Sequence, residues 1–384
     1  MFDSSLLTPI HASFARRQDE ILDLIRKLVE LESPSGDIEG SRAVVDLLVE
    51  GARTIPAIDS VERIPVPDYG EHFRVRAFDR PMNDVGTTLL LGHTDTVHPR
   101  GALCSDSVRA EERLYGPGVF DMKGSCVLAL EVLRTLAALD VTPSRPVVLL
   151  LTCDEETGSL TGRQLVEDEA RHAAQVLVLE PPVPGGQVKT ARKGVGIWTV
   201  TAHGIAAHAG LSPEAGASAI LELARQTERF HSMTASGTTF NVGLVRGGTR
   251  VNVVAAEAVI EVEVRFSCAS EARLIDQLMN NLRPFDERVH LTVNGGINRM
   301  PMERTPRVAS LYEHAREIAA QLGFELGEQA VGGASDGNFV AAMNVAVLDG
   351  LGIDGDGAHA AHEHILISDI ARRGALLAGM VASL

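Results

Sequence analysis

Two short segments gather the side chains in this sequence best suited to metal chemistry. Gly92-His93-Thr94-Asp95-Thr96-Val97 closes the apolar run Thr87–Leu91, and Gly118-Val119-Phe120-Asp121-Met122-Lys123-Gly124 follows some twenty residues later. An uninterrupted apolar run bounded by polar residues reads as a buried strand. His93 and Asp95 lie two residues apart at its end, so the two-residue repeat of a strand points both side chains the same way. An imidazole and a carboxylate converging on one point suit a borderline divalent cation such as zinc. A second buried strand, Pro146–Thr152, empties into Cys153-Asp154-Glu155-Glu156-Thr157-Gly158, with three adjacent carboxylates. A third, Gln175–Leu179, ends in Glu180, and Pro181-Pro182 prevent its continuation. Three strands thus deliver acids or histidine at their C-terminal ends, the edge of an open α/β sheet where ligands bind.

The elements that must position these groups follow the same grammar. Ile21, Leu22, Ile25, Leu28 and Val29 share one helical face, stopped by Ser33-Pro34-Ser35-Gly36, and a second helix spans Ile38–Arg53. Leu128, Leu130, Val132, Leu133 and Leu136 lie on a third. Helices alternating with strands predict an α/β sheet covered by helices. From about Val188 the order changes to strand Val195–His203, helix Pro213–Phe230, strands Phe240–Val245 and Val251–Phe266, helix Glu271–Leu282 and strand Val289–Val293. That βαββαβ order predicts a ferredoxin-like α+β domain, residues 188–299, inserted into a domain formed by 1–187 and 300–384. After Arg299 come helix Val308–Leu322, a turn at Gly332-Gly333-Ala334-Ser335-Asp336-Gly337, a strand at Val345–Leu348 and a last helix, Ser368–Val381.

Composition narrows the function. With 384 residues, 45% of them hydrophobic, the chain can bury more than one domain's core. Its formal net charge of -16 repels phosphate backbones, which argues against nucleic acid as a partner. No apolar run approaches membrane-spanning length and the N-terminus lacks an apolar signal core, so a soluble cytoplasmic protein is expected. Cys104, Cys126, Cys153 and Cys268 are widely spaced, without a Cys-x-x-Cys pair, and read as reduced thiols. His11, His72, His172, His231, His290 and His314 read as solvated, and Asp154 as a solvated or capping acid. Gly357-Ala358-His359-Ala360-Ala361-His362-Glu363-His364 offers three further histidines.

These motifs together resemble the M20 family of co-catalytic zinc peptidases and amidohydrolases, within it the glutamate carboxypeptidase subgroup, over nearly the whole length. The resemblance implies a zinc-exopeptidase-like α/β sheet with an inserted dimerisation domain, a homodimer, and two divalent ions per subunit, Zn2+ with Co2+ or Mn2+ as alternatives. It implies His93 and Glu180 on the first metal, Asp121 bridging, and Glu156 and His359 on the second. Glu155 is then the general base and Asp95 the acid behind His93 that orients its ring. The Asp121-Met122 peptide is expected to be cis. His208, in Gly204-Ile205-Ala206-Ala207-His208-Ala209-Gly210, matches the histidine that the partner subunit lends to the oxyanion.

For substrate binding the same resemblance points to Asn252, Arg265, Arg299 and the Gly333 loop. Arg265 is equally readable as an arginine paired with Glu261 or Glu263, Arg299 is separated by Met300 from the proline expected beside it, and Lys193 reads as a hinge or surface residue. The expected reaction is hydrolysis of the amide joining an acyl or peptidyl group to a C-terminal amino acid, glutamate-like. An acetylornithine- or succinyl-diaminopimelate-type deacylase is the near alternative. A tripeptide aminopeptidase is disfavoured by Glu180, where that subgroup has Asp, and a catalytically silent binding module by the presence of every expected ligand.

Overall fold

A computed structural model describes residues 4–80, 86–103, 107–235 and 237–384. Cys104 lies outside the described residues. The chain divides into two compact units. One runs to Ala191 and resumes at Arg304–Ala330 and Ser335–Leu384; the other comprises Arg192–Glu303 with Val331–Ala334.

The first unit is built on a six-stranded sheet ordered Ile58–Val66, Gly70–Ala77, Val147–Thr152, Thr87–His93, Ala173–Val178 and Ala346–Leu348. The last four strands are mutually parallel, and the hairpin Ile58–Ala77 adds an antiparallel edge. Every residue of Thr87–His93 and Val147–Thr152 is buried, as continuous apolar runs in a two-faced parallel sheet must be. Helix Gly124–Ala138, the third helix expected around Leu128–Leu136, buries nearly its whole circumference, so its amphipathic pattern is weak. Helices Leu7–Arg16, Gln18–Glu30 and Asp369–Ser383 complete the core with Phe14, Ile25, Leu28 and Leu376. A small sheet of Val108–Ala110, Arg113–Tyr115, His364–Leu366 and Gly355–Asp356 frames the turn that carries His359.

The second unit has a four-stranded antiparallel sheet ordered Thr239–Gly247, Glu257–Phe266, Gly194–His203 and His290–Arg299. Helices Ala219–Ser232 and Ala269–Asn280 pack on its apolar face, where Trp198, Val200, Phe230, Ile260, Val262, Val264 and Phe266 form a core of their own. Chain order is βαββαβ. Two expected elements start later than the residue pattern suggests. Pro213–Ala215 is a short 3-10 turn and the helix begins at Ala219, capped by the Ser218 hydroxyl, which accepts from Leu221 N. The strand expected from Val251 begins at Glu257, because Val251–Ala256 turns back: Val253 bridges His208, and Ala209 N donates to Asn252 O at 3.0 Å. A fully exposed Val251 marks that turn.

Candidate metal centre

Each strand end delivers its acid or imidazole as a consequence of the local chain path. Gly92 precedes His93 because a Cβ there would meet Met122 Cε at 2.4 Å; the space holds the Met122 thioether, whose sulfur accepts from His93 N at 3.4 Å. The peptide Asp121-Met122 is cis. Gly118 adopts φ +72°, a conformation costly for residues with a Cβ, and opens the turn that presents Asp121.

Asp121 sits at the centre. Its Oδ1 lies 3.2 Å from His93 Nε2 and its Oδ2 lies 3.3 Å from His359 Nε2. His93 Nε2 is also 3.5 Å from Glu180 Oε1, and His359 Nε2 is 3.3 Å from Glu156 Oε1. One carboxylate therefore shows a separate oxygen to each of two histidines, and each histidine has a further carboxylate beside it. Among the described residues, ligand atoms of His93, Glu155 and Glu180 fall within 4.8 Å of one another, as do those of His93, Asp121 and Glu156. Glu156 Oε1 is buried and makes no hydrogen bond of acceptable geometry, although His359 Nε2 stands near it. A buried carboxylate oxygen left so, in a ring of imidazole nitrogens and carboxylates, fits a divalent cation chemically.

The electrostatics agree. Burial lowers the affinity of His93 for a proton, yet the carboxylates of Asp121, Asp95 and Glu180 outweigh it and raise the ring well above its ordinary value. His359 is pushed up to about 10 by Asp121 and then Glu156. Burial raises Glu156 above its ordinary value, with the nearby Asp121 charge adding to it against the pull of His359. Asp121 is held well below its ordinary value, since the two imidazoles override its burial. A field strong enough to hold protons on two imidazoles is a field for cations.

The surroundings assign work to residues that the sequence left ambiguous. Asp95, 3% exposed, takes hydrogen bonds from Glu155 N at 3.2 Å on Oδ1, and from Glu156 N at 3.1 Å and the Ser35 hydroxyl at 2.6 Å on Oδ2. His93 Nδ1 faces the Asp95 main-chain carbonyl at 3.0 Å, closer than the Asp95 carboxylate at 3.5 Å. The side chain thus grips the Glu155–Thr157 turn, and the main chain is the nearer partner of the ring. Glu363 was missed. It is 3% exposed and accepts from Gly118 N at 2.8 Å, Phe120 N at 2.9 Å and Asp121 N at 2.9 Å, clamping the loop that carries Asp121. Its signal was an acid set between two histidines in a segment read for its histidines alone.

The expectation of solvation is corrected for His72, and of the two readings of Asp154 the capping one holds. His72 is 2% exposed: its Nδ1 accepts from Cys153 N at 3.1 Å, which leaves the proton on Nε2 facing Thr161 Oγ1 at 3.2 Å. Asp154 is fully buried and caps helix Gly162–Ala170, accepting from Thr161 N at 2.6 Å and Gly162 N at 3.2 Å. Both flank the turn bearing Glu155 and Glu156. His314 is half-buried against Ser383, 2.6 Å from its hydroxyl. Of the other two histidines in the segment after Gly357, His362 is exposed and His364 is buried on its strand.

The remaining candidates lie in the second unit. His208 Nδ1 accepts from Gly210 N at 3.1 Å and Leu211 N at 3.2 Å, so Nε2 carries the proton and is a donor. The Val253 bridge sets Asn252 beside that loop. Arg265 donates to both Glu263 oxygens, at 2.8 and 2.9 Å, the pairing weighed above. Arg299 is 7% exposed, its NH1 3.3 Å from Asn298 Oδ1, and Gly333 O accepts from Arg192 at 3.2 Å. Lys193 N donates to Val331 O. Cys126 and Cys153 are buried and Cys268 is half-buried, all free.

Comparison with known proteins agrees with this geometry. The family model described as Peptidase family M20/M25/M40 matches residues 89–383. Carboxypeptidase G2 of Pseudomonas sp. (strain RS-16) is 26% identical over 377 residues, covering 96% of this chain and 90% of that protein. Succinyl-diaminopimelate desuccinylase of Verminephrobacter eiseniae is 30% identical over 319 residues, 77% of each. The crystal structure of aminopeptidase PepT from Bacillus cereus superposes with a TM-score of 0.77 at 19% identity, covering 95% of this chain and 98% of that one, and shares the fold.

Proposed function

The chain belongs to peptidase family M20/M25/M40, and from that membership we propose that it is a two-metal hydrolase releasing a C-terminal, glutamate-like amino acid from an acyl or peptidyl amide. The observation that carries the reading is Asp121, one oxygen toward His93 and the other toward His359. In this reading His93 and Glu180 hold one ion, Glu156 and His359 the other, and Asp121 both; their nitrogen and oxygen donors suit zinc. Bound there, a pair of divalent ions acidifies a water and polarises the amide carbonyl.

The protein does the rest. Glu155, left out of the ligand set, takes the proton of the attacking water and returns it to the leaving amine. Asp95 keeps Glu155 and Glu156 at fixed relative positions by holding both their main-chain N–H groups. In the homodimer of this reading, His208 of the partner subunit, its Nε2–H set by the two amides on Nδ1, is the donor for the oxyanion. Asn252, beside the His208 loop, and Arg299 receive the substrate carboxylate with the Gly333 loop. Arg265 joins them only where that carboxylate displaces Glu263. A homodimer is supported by the second unit, whose outer strand Thr239–Gly247 exposes Leu244 and Val245 and whose helix Ala219–Ser232 exposes Ile220 and Leu221. The match to a desuccinylase supports the second reading, an N-acyl amino acid deacylase.

The test is Glu155→Gln in the metal-loaded enzyme. Turnover of N-acyl-glutamate should fall by about 10²–10⁴-fold, with metal content held at two ions per chain. Undiminished turnover refutes the assignment of the base.

A further inference from the structure

A cavity of about 780 Å3 opens beside the metal cluster, within the first unit, and no step above uses it. Glu156 and Thr157 form one end. Pro34, Ile38, Val97 and Pro99 supply apolar walls, and Asp37, Glu39 and Arg100 the charged ones. We propose that this cavity receives the acyl side of the substrate and selects an uncharged, largely apolar acyl group bigger than acetyl, against a succinyl-type acyl group.

Position comes first. Glu156 belongs both to the cavity wall and to the cluster, so a carbonyl held at the cluster has its next substituent at the mouth of the cavity. The inference rests on the function proposed above, in which none of the residues assigned to the leaving amino acid's carboxylate lines this cavity. Size comes second. The space is wide and open to solvent, and an acetyl group would leave most of it filled with water. Ile38 and Val97 are each more than a third exposed, available apolar surface at the site.

Charge decides the class. Arg100 is the cation among the lining residues, and its Nε donates to Asp37 Oδ2 at 2.6 Å. The N-terminus of helix Ile38–Arg53 also lies here and would draw an anion, but Asp37 already occupies that place, its Oδ1 accepting from Gly40 N at 2.9 Å. Glu39 adds an exposed carboxylate. A succinyl carboxylate would therefore meet acids whose compensating charges are engaged, whereas a neutral acyl chain meets prolines, isoleucine and valine.

The experiment compares kcat/KM of the metal-loaded protein on N-acetyl-, N-benzoyl- and N-succinyl-glutamate, which differ only in the acyl group. Benzoyl should exceed both others by about tenfold or more, a ratio expected from burying a phenyl-sized surface. Val97→Asp should bring the benzoyl-to-acetyl ratio down toward one, and Glu39→Lys should raise succinyl relative to acetyl about threefold or more. Preference of the wild type for succinyl, or a benzoyl-to-acetyl ratio unmoved by Val97→Asp, overturns the proposal. Binding of benzoate, acetate and succinate, measured by calorimetry, is read in parallel. If no acyl-glutamate is hydrolysed, the proposed function fails by itself. The cavity then stands on benzoate binding that Val97→Asp abolishes, and falls without it.

Discussion

Asp95→Asn isolates what the acid behind His93 does. The wild-type carboxylate is buried and accepts three hydrogen bonds, one on Oδ1 from Glu155 N and two on Oδ2 from Glu156 N and Ser35 Oγ. Asparagine keeps the shape but only one acceptor oxygen. If that oxygen stays toward Glu155, the amide group faces the Glu156 N–H, donor against donor. A buried donor left without a partner costs about 1–3 kcal/mol, and exchanging a charged for a neutral acceptor at the retained bond costs about 1 kcal/mol more. The sum is a loss of about 2–4 kcal/mol in the metal-free protein. The Ser35 hydroxyl can rotate to accept from the new amide, so its bond survives. The His93 ring is spared, because its nearer partner is the Asp95 main-chain carbonyl, which the substitution retains. The damage should concentrate at Glu156, weakening the ion on that side about 10–100-fold. Urea unfolding of metal-free protein gives the stability, and competitive titration against a chelating dye resolves the two ions. A stability within about 0.5 kcal/mol of wild type would refute the role in the turn, and weakening chiefly of the ion on the His93–Glu180 side would show that the side chain acts through the His93 ring instead.

Other expectations concern groups outside the ligand set. Burial holds the His72 ring below its ordinary value against the pull of Asp154, Asp336 and Asp95, so it is neutral in the folded chain. The unfolded chain takes up that proton below about pH 6.5, so the contribution is present above that pH and lost as pH falls; His72→Gln should flatten the acid limb of the stability curve measured by denaturant unfolding. Burial pushes the Cys126 thiol up to about 12 and raises Cys153 too; at pH 8 iodoacetamide should leave both unmodified in the native protein and label them after denaturation, as mass spectrometry would read. Val245→Glu on the outer strand of the second unit should convert a dimer to a monomer in sedimentation velocity and lower turnover with it; a wild type that sediments as a monomer removes that part of the reading.

What could be read from the residues alone was whatever a strand end makes visible. Thr87–His93 and Val147–Thr152 are buried on both faces, so their apolar runs are unbroken and the polar residues that follow stand out. His72 and Glu363 escape a reading of the residues because each is an ordinary polar residue locally. Their significance comes from burial against main-chain N–H groups distant in sequence, as with Glu363 and Gly118, 245 residues apart. The turn Val251–Ala256 defeated a β-propensity reading because its Val-rich stretch spends its main-chain bonds on the His208 loop. The Gly162–Ala170 cap, likewise, depends on an acid that precedes it by eight residues.

The Glu363 clamp also governs when this protein can become itself. The loop presenting Asp121 is secured by a residue 245 positions downstream, and the second histidine of the cluster comes from the same late stretch of chain. At ribosomal speeds of about 5–20 residues per second, roughly 12–50 seconds separate the appearance of the loop from that of its anchor. Through that interval Asp121, Glu156 and Glu180 exist as nascent acids accompanied by His93 alone, and the loop ends remain unjoined. Closure over so long a separation carries a large entropic cost and places the metal cluster among the last features to form. The nascent chain, however well its early strands pair, lacks both the second histidine and the clamp on the Asp121 loop until positions 359 and 363 have been made.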